Sequence, residues 1–165
     1  MTSKRLRHSA AALVVAGLVA FSGCTSTFTA QPYTPGVGTN VDQGPVKVRA
    51  MVLVIDGDKA YLTGSIVSHE DDNLTGIQGK AQDGSFKDVA DLTFTDSQIE
   101  VPTDKLVTLT DKQISTPVGE LKPGLTAQLT LNFEKAGAAT LVVPVVDTKH
   151  PDYTTFNPSA AASGS

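Results

Sequence analysis

The 165-residue sequence contains one cysteine, two methionines and no tryptophan. A single cysteine excludes an internal disulfide framework and a multi-cysteine zinc site. Basic residues are also scarce beyond the N-terminus: without Lys4, Arg5 and Arg7, ten Lys and Arg side chains face 17 Asp and Glu, a net charge of about −7. An acidic surface repels phosphate backbones and anionic headgroups, which argues against nucleic acid as a partner and against polybasic membrane binding.

The first 24 residues follow the order of an export signal. Lys4, Arg5 and Arg7 precede an apolar run over 10–21, and the segment closes with small residues in Ser22–Cys24. At about 1.5 Å per residue the run reaches roughly 18 Å, which is short of a bilayer core of ~30 Å. The pattern therefore predicts a cleaved signal rather than a permanent transmembrane span.

The segment Phe21–Cys24 resembles a bacterial lipobox, in which a Leu-like residue and two small residues precede a cysteine. Small residues fit the subsites of the signal peptidase, and the cysteine thiol accepts a diacylglyceryl group as a thioether. The resemblance implies that Cys24 becomes the acylated first residue, and two acyl chains are enough for stable anchoring. A plain secretory signal with an incidental cysteine is the alternative.

Composition divides the chain into four segments. We predict a lipoprotein signal peptide over 1–23, an acylated cysteine with a flexible tether over 24–44, a folded domain over 45–148 and a disordered C-terminal tail over 149–165. Tether and tail are rich in Thr, Ser, Pro and Gly and poor in apolar residues.

The folded region alternates apolar and polar residues with the period of β-strands. In 125–134, Leu125, Leu129 and Phe133 are among the side chains that face one way, while Thr and Gln side chains face the other. The turn at Asp56–Asp58 predicts a hairpin between its flanking runs, and Pro144 predicts an edge or a bulge. Seven to eight short strands without a convincing amphipathic helix indicate an all-β protein, a single antiparallel β-sandwich with flexible tails.

Three segments, 61–77, 98–109 and 121–145, together resemble actinobacterial envelope lipoproteins related to the periplasmic copper chaperone PCu(A)C, among them the mycobacterial Lpq-type lipoproteins. The resemblance implies an immunoglobulin-like or cupredoxin-like sandwich. Copper chaperones of that family hold Cu(I) with His and Met. The corresponding stretches here, 83–89 and 112–115, contain neither residue type, so the copper ligands do not carry over.

Cu(I) prefers thioether, thiolate or imidazole ligands, which the processed chain offers at Met51, His69, His150 and Cys24. We expect Met51 to fill the core, His69 to lie beside a solvated turn and His150 to lie in the tail. We do not expect these three side chains to meet at one site, and the acylated sulfur of Cys24 is not available as a copper ligand. The sequence therefore predicts no metal-binding residue and no cofactor.

Two acidic turns raise the question of calcium, because carboxylates are hard oxygen ligands. An EF-hand loop needs a D-x-D-x-D-G run, which the first turn breaks at its third ligand. We expect the carboxylates of the two turns to keep these turns soluble, and calcium binding is the alternative. The carboxylates are those of Asp56, Asp58, Glu70, Asp71 and Asp72.

No catalytic residue is predicted, since the chain has no G-x-S-x-G motif and the histidines of the processed chain, His69 and His150, lie in a turn and a tail. The sequence predicts a non-enzymatic, lipid-anchored protein on the extracytoplasmic face of the cell membrane. Its sandwich would act as a binding or assembly module for an envelope protein or ligand, through the edge at Val142–Val146 or the connection at 112–124. The alternative is a variant copper chaperone that delivers metal to an envelope protein.

Overall fold

The computed structural model describes residues 37–95 and 97–158. The predicted signal peptide and most of the predicted tether lie outside these residues. The strands are β1 (Thr39–Gln43), β2 (Val46–Asp56), β3 (Lys59–Ser68), β4 (Asp72–Gln82), β5 (Asp88–Thr93), β6 (Ile99–Val101), β7 (Val107–Thr108), β8 (Ser115–Pro117), β9 (Thr126–Phe133) and β10 (Gly137–Asp147). Two 3-10 turns follow at Thr110–Lys112 and Pro151–Tyr153.

The strands form two sheets that share β10, which confirms the predicted all-β sandwich. One sheet runs β5-β4-β9-β10, with β6 beside β5 on the same edge of β4, and the other pairs β2 with β3 and adds β1, β7 and β8. Ten strands are present within the described residues, rather than seven or eight, because several edge strands are only two or three residues long.

One pairing differs from the predicted antiparallel arrangement. β10 pairs antiparallel with β9 as far as Pro144, and then pairs in parallel with β2 over Val145–Asp147. Pro144 has no N–H to donate, so it lies where β10 passes from one sheet to the other. The sequence predicts an edge or a bulge at Pro144; the structure instead pairs Pro144 in register with Thr126, at the point where β10 changes partner.

The strand directions give the sandwich two ends. β2 and β10 run towards what we call the lower end, while β1, β3, β5 and β9 run away from it. The connections at the lower end are 57–58, 83–87 and 118–125. The connections at the opposite, upper end are 44–45, 69–71, 102–106 and 134–136.

The core follows the predicted alternation along β9. Ala127, Leu129, Leu131 and Phe133 are buried, and the residues between them are half-buried. Phe133 therefore faces the core, as the period of two predicts.

A β-bulge in β2 interrupts the simple alternation. The register shifts between Arg49 and Val52, and Ala50 takes a φ of 54° and turns outward, although alternation placed it on the same face as Val48 and Val52. Gly64 lies opposite with a φ of 125°, and a Cβ there would lie 2.7 Å from the Sδ of Met51. The bulge and this glycine together let Met51 enter the core.

The folded domain begins earlier than the predicted boundary at residue 45. Thr39–Gln43, placed in the tether by composition, form β1 and pair with β2. The Nε2 of Gln43 donates to the carbonyl of Ala136 at 2.9 Å, and Val41 packs against the core. β1 runs from opposite Met51 towards the upper end, so the described chain enters from the lower half of the sandwich.

The predicted disordered tail is placed against the sheet as far as residue 158. Tyr153 and Phe156 pack on the outer face of Val52, Val54 and Val146, and the ring of Phe156 lies 5.8 Å from that of Tyr61. We call this segment, His150–Pro158, the C-terminal strap. Its composition did not predict that it is ordered, because its two aromatic rings pack on apolar residues that are distant in sequence. Residues 159–165 lie outside the described part.

Candidate functional site

Cys24, the predicted site of lipid attachment, lies outside the described residues. Between residues 37 and 158, position 96 excepted, no helix is long and apolar enough to cross a membrane.

The two described histidines lie at opposite ends of the sandwich. The backbone N–H of His69 donates to the carbonyl of Pro45, just before β2, and its Nδ1 lies 2.9 Å from a carboxylate oxygen of Asp104. His150 follows Asp147, which pairs with Ile55 near the other end of β2. At about 3.3 Å per residue, the length of β2 separates the two imidazoles by roughly 30 Å, so they cannot bind one ion.

Met51 is not available to either histidine. Its side chain is 0% exposed, and it lies in the core beside Gly64, as the sequence predicted. Within the ranges 37–95 and 97–158 no group of three or more His, Cys, Asp and Glu side chains could hold a metal ion.

Residues 112–115 correspond to a stretch that carries copper ligands in the PCu(A)C chaperones. In this protein they make internal contacts. The Nε2 of Gln113 donates to the carbonyl of Pro158 in the C-terminal strap at 2.8 Å. The side chain of Ile114 is buried, and the carbonyl of Ser115 accepts the N–H of Thr95 at 3.0 Å. The bond between Thr95 and Ser115 joins the edges of the two sheets.

Glu70 and Asp71 are exposed at the turn before β4, as the sequence predicts, but Asp72 is not solvated. Asp72 is only 4% exposed, and its carboxylate accepts N–H groups from Asn73 at 2.7 Å and from Lys135 and Ala136 at 2.9 Å each. Burial acts to raise the pKa of Asp72, but these hydrogen bonds outweigh it, and the pKa lies below its usual value. Both carboxylate oxygens therefore face N–H donors, an arrangement that does not suit a cation.

Asp71 makes a second connection at the upper end. It accepts the backbone N–H of Thr103 at 2.7 Å and its hydroxyl at 2.8 Å, and these two bonds lower the pKa of Asp71. The Nζ of Lys135 donates to the carbonyl of Asp71 at 2.6 Å. Asp71 and Asp72, which we call the acidic latch, thus join three of the connections at the upper end, 69–71, 102–106 and 134–136.

Asp56 and Asp58 form the other acidic turn of the sequence. Both are exposed at the predicted hairpin turn between β2 and β3, where Gly57 takes a φ of 64°. They match the expectation of a soluble turn at this position.

An open groove of about 590 Å³ lies between β6 and β7, where the edges of the two sheets diverge. In the described part of the chain, β6 pairs only with β4, and β7 pairs only with β3. Leu106 stands at the groove with 69% of its surface exposed. The polar residues of this sheet-edge groove include Gln98, Glu100, Thr108, Asp111 and Lys112.

The two docking surfaces suggested by the sequence are partly engaged in internal contacts. Val145 and Val146 pair with β2, although Val142 remains partly exposed. The connection 112–124 contains β8, which pairs with β3, and Leu121 in it is buried. The sheet-edge groove meets the predicted 112–124 connection only at Lys112. The sequence did not indicate the rest of the groove, because its strands are too short to show alternation.

The loop between β4 and β5 presents an aromatic residue to solvent. Asp83 accepts the N–H groups of Lys87 at 3.0 Å and Ser85 at 2.8 Å, which lower the pKa of Asp83 and fix the loop. Phe86 then takes a φ of 60° and is 69% exposed. A side chain in this left-handed region costs about 1–2 kcal/mol relative to the right-handed one, and glycine is the usual occupant.

No family model and no curated protein matches this chain. Among solved structures, it is similar to the copper-bound PCuAC domain from PmoF2, with 22% identity over 66% of this chain and 98% of that domain and a TM-score of 0.50. The apo PCuAC domain from PmoF1 is 17% identical over 66% of this chain and 99% of that domain, with a TM-score of 0.49. The first likeness shows that the chain has the fold of a PCuAC domain.

Proposed function

We propose that this protein is a non-enzymatic lipoprotein whose sandwich binds an envelope protein at the outer face of the cytoplasmic membrane. The lipobox resemblance at Phe21–Cys24 supports the anchor. The sheet-edge groove is the observation that carries the binding role. It combines strand edges that are unpaired among the residues the structure describes with the exposed side chain of Leu106.

The groove suits an extended segment of a partner protein. An exposed strand edge offers backbone N–H and C=O groups, and an added strand gains main-chain hydrogen bonds there. Side chains alternate along such a strand, so one could contact Leu106 while the next meets Glu100 or Lys112. The mixed charges of the groove favour a partner segment with both apolar and charged residues.

Cross-linking in intact cells tests this proposal. A photoreactive side chain placed at Leu106 should form a reproducible protein cross-link, because that position stands in the groove. The same group at Val142, an exposed apolar position on β10, is the matched control. Equal capture from both positions, or none from Leu106, would contradict the proposal.

Copper delivery is the second candidate, and the fold favours it, because a copper-bound domain has the same architecture. The side chains favour it less. The two imidazoles lie too far apart for one ion, so each could supply only a single donor and the partner would have to complete the coordination. Unlike the docking role, this function therefore depends on His69 or His150.

Titration of the purified lipoprotein with Cu(I) and Cu(II) distinguishes the two candidates. Tight stoichiometric binding that is lost in His69→Ala or His150→Ala would favour copper delivery. The docking role predicts weak binding that both variants leave unchanged, together with an undiminished cross-link from Leu106.

A further inference from the structure

The hairpin of β4 and β5 carries an unusual share of exposed apolar surface. Four large apolar side chains are exposed in the described part of the chain, and two of them, Phe86 and Val89, lie on this hairpin. Phe86 occupies the 83–87 loop that joins these strands, in a conformation that favours glycine. Backbone strain of this kind is concentrated at functional positions, so the aromatic ring itself is the feature to explain.

We infer that Phe86 inserts into the headgroup region of the bilayer when the chain is anchored, and so orients the sandwich with its lower end towards the membrane. The inference rests on the proposed lipid anchor at Cys24. It adds a second membrane contact, made by the folded domain itself.

The place of the loop in the fold supports this contact. The 83–87 loop lies at the lower end, and the described chain enters from the lower half, where Val37 packs against Val52 and Val54. Cys24, the proposed site of acylation, precedes Val37 by thirteen residues. Thirteen residues span at most about 45 Å when fully extended. A tether of this length is long enough to let the lower end contact the bilayer surface.

The small apolar area of the 83–87 loop, which we call the tip, favours contact with a bilayer over contact with a protein partner. An aromatic side chain buries about 150–250 Å², whereas a specific protein interface buries about 1,200–2,000 Å² in total. The neighbours of Phe86 in the loop are polar and exposed, so they do not extend the apolar patch. A weak contact is enough in a tethered domain, because the tether supplies a high effective concentration.

The charges of the loop give the contact a lipid preference. Asp83 and Asp88 flank Phe86, and Lys87 is the single cation between them. Anionic lipids would meet a net negative loop, so insertion depends on the ring and should weaken as anionic lipid is added.

The absence of tryptophan in the natural chain provides a clean test. Phe86→Trp introduces one fluorophore at the tip, and Leu106→Trp introduces one at an equally exposed position of the upper end. Each full-length, acylated variant is reconstituted in phosphatidylcholine vesicles. Emission is then recorded with ordinary and with brominated lipid, and vesicle flotation measures anchoring separately.

We expect the tryptophan at position 86 to emit at shorter wavelength in vesicles and to lose intensity with brominated lipid, while that at position 106 does neither. Addition of anionic phosphatidylglycerol should reduce the effect at position 86. Flotation without a response at position 86, or equal responses at both positions, would overturn the inference alone. Failure to float would overturn the anchor and this inference together, and a shift that requires an added envelope extract would assign the tip to a protein.

Discussion

Replacement of Asp72 by alanine should destabilise the fold by about 2–4 kcal/mol. The carboxylate accepts three backbone N–H groups, of Asn73, Lys135 and Ala136. Hydrogen bonds to a charged group contribute roughly 1.5–3 kcal/mol each, and an unsatisfied buried donor costs about 1–3 kcal/mol. Because Lys135 is exposed, water can reach its freed N–H, and the total should fall well below the sum.

Urea unfolding followed by circular dichroism measures this change. The urea concentration at the unfolding midpoint should be lower for Asp72→Ala than for the natural protein. The slope of unfolding free energy against urea should stay constant, because the variant exposes the same area on unfolding. Asp91→Ala removes the same charge from an exposed position of β5, and its effect should lie within about 0.5 kcal/mol. Equal midpoints for the two variants would refute the role of the acidic latch.

The same carboxylate should make stability depend on acid. The pKa of Asp72 in the folded protein lies below its usual value, so its contribution is complete above the unfolded pKa of about 3.9. It is lost as the pH falls through the folded pKa. Asp72→Asn should therefore be less stable than the natural protein at pH 6 and should lose less of its stability between pH 5 and pH 2. Parallel pH curves would contradict this assignment.

Further substitutions test the anchor, the core, the bulge and the tip. Cys24→Ala should leave the precursor unacylated, so it should lose partition into the detergent phase, and wild-type behaviour would contradict the lipobox interpretation. Phe133→Ala should cost about 3–5 kcal/mol of unfolding free energy, and an unchanged urea midpoint would show that the ring is not buried. Gly64→Ala should cost roughly 2–5 kcal/mol, because its Cβ would meet backbone and sulfur at a strained φ, whereas Gly84→Ala, with no atom within 4 Å of its Cβ, should be nearly neutral. Phe86→Gly should leave the thermal midpoint equal or higher, since glycine suits a φ of 60°, and a marked fall would show that the ring packs on the domain.

Local patterns in the sequence predicted the elements whose contacts are local. The hairpin of β2 and β3 follows from a turn with glycine between two apolar runs, and the buried face of β9 follows from eight alternating residues. The predicted core role of Met51 is likewise confirmed. In each case the residues that decide the structure lie within one strand or one turn.

The features that the sequence did not predict depend on contacts between distant segments. Asp72 bonds to Lys135, 63 residues away, so nothing near Asp72 distinguishes it from a solvated acid. The strap residue Phe156 is placed by Tyr61 and by the outer face of β2. The bulge at Ala50 needs Gly64 on the neighbouring strand, and composition alone cannot show that pair.

The place of the sheet-edge groove relative to the anchor limits which partners can reach it. The 102–106 loop beside the groove lies at the upper end, and the 83–87 tip lies at the lower end, separated by about 30 Å along β2 at 3.3 Å per residue. If the tip contacts the bilayer, Leu106 stands about that far above the membrane surface. A partner confined to the headgroups could not occupy the groove, whereas an extracytoplasmic domain or an extended segment could. Cross-links from Leu106 should therefore be lost when such a partner is truncated to its membrane-embedded part.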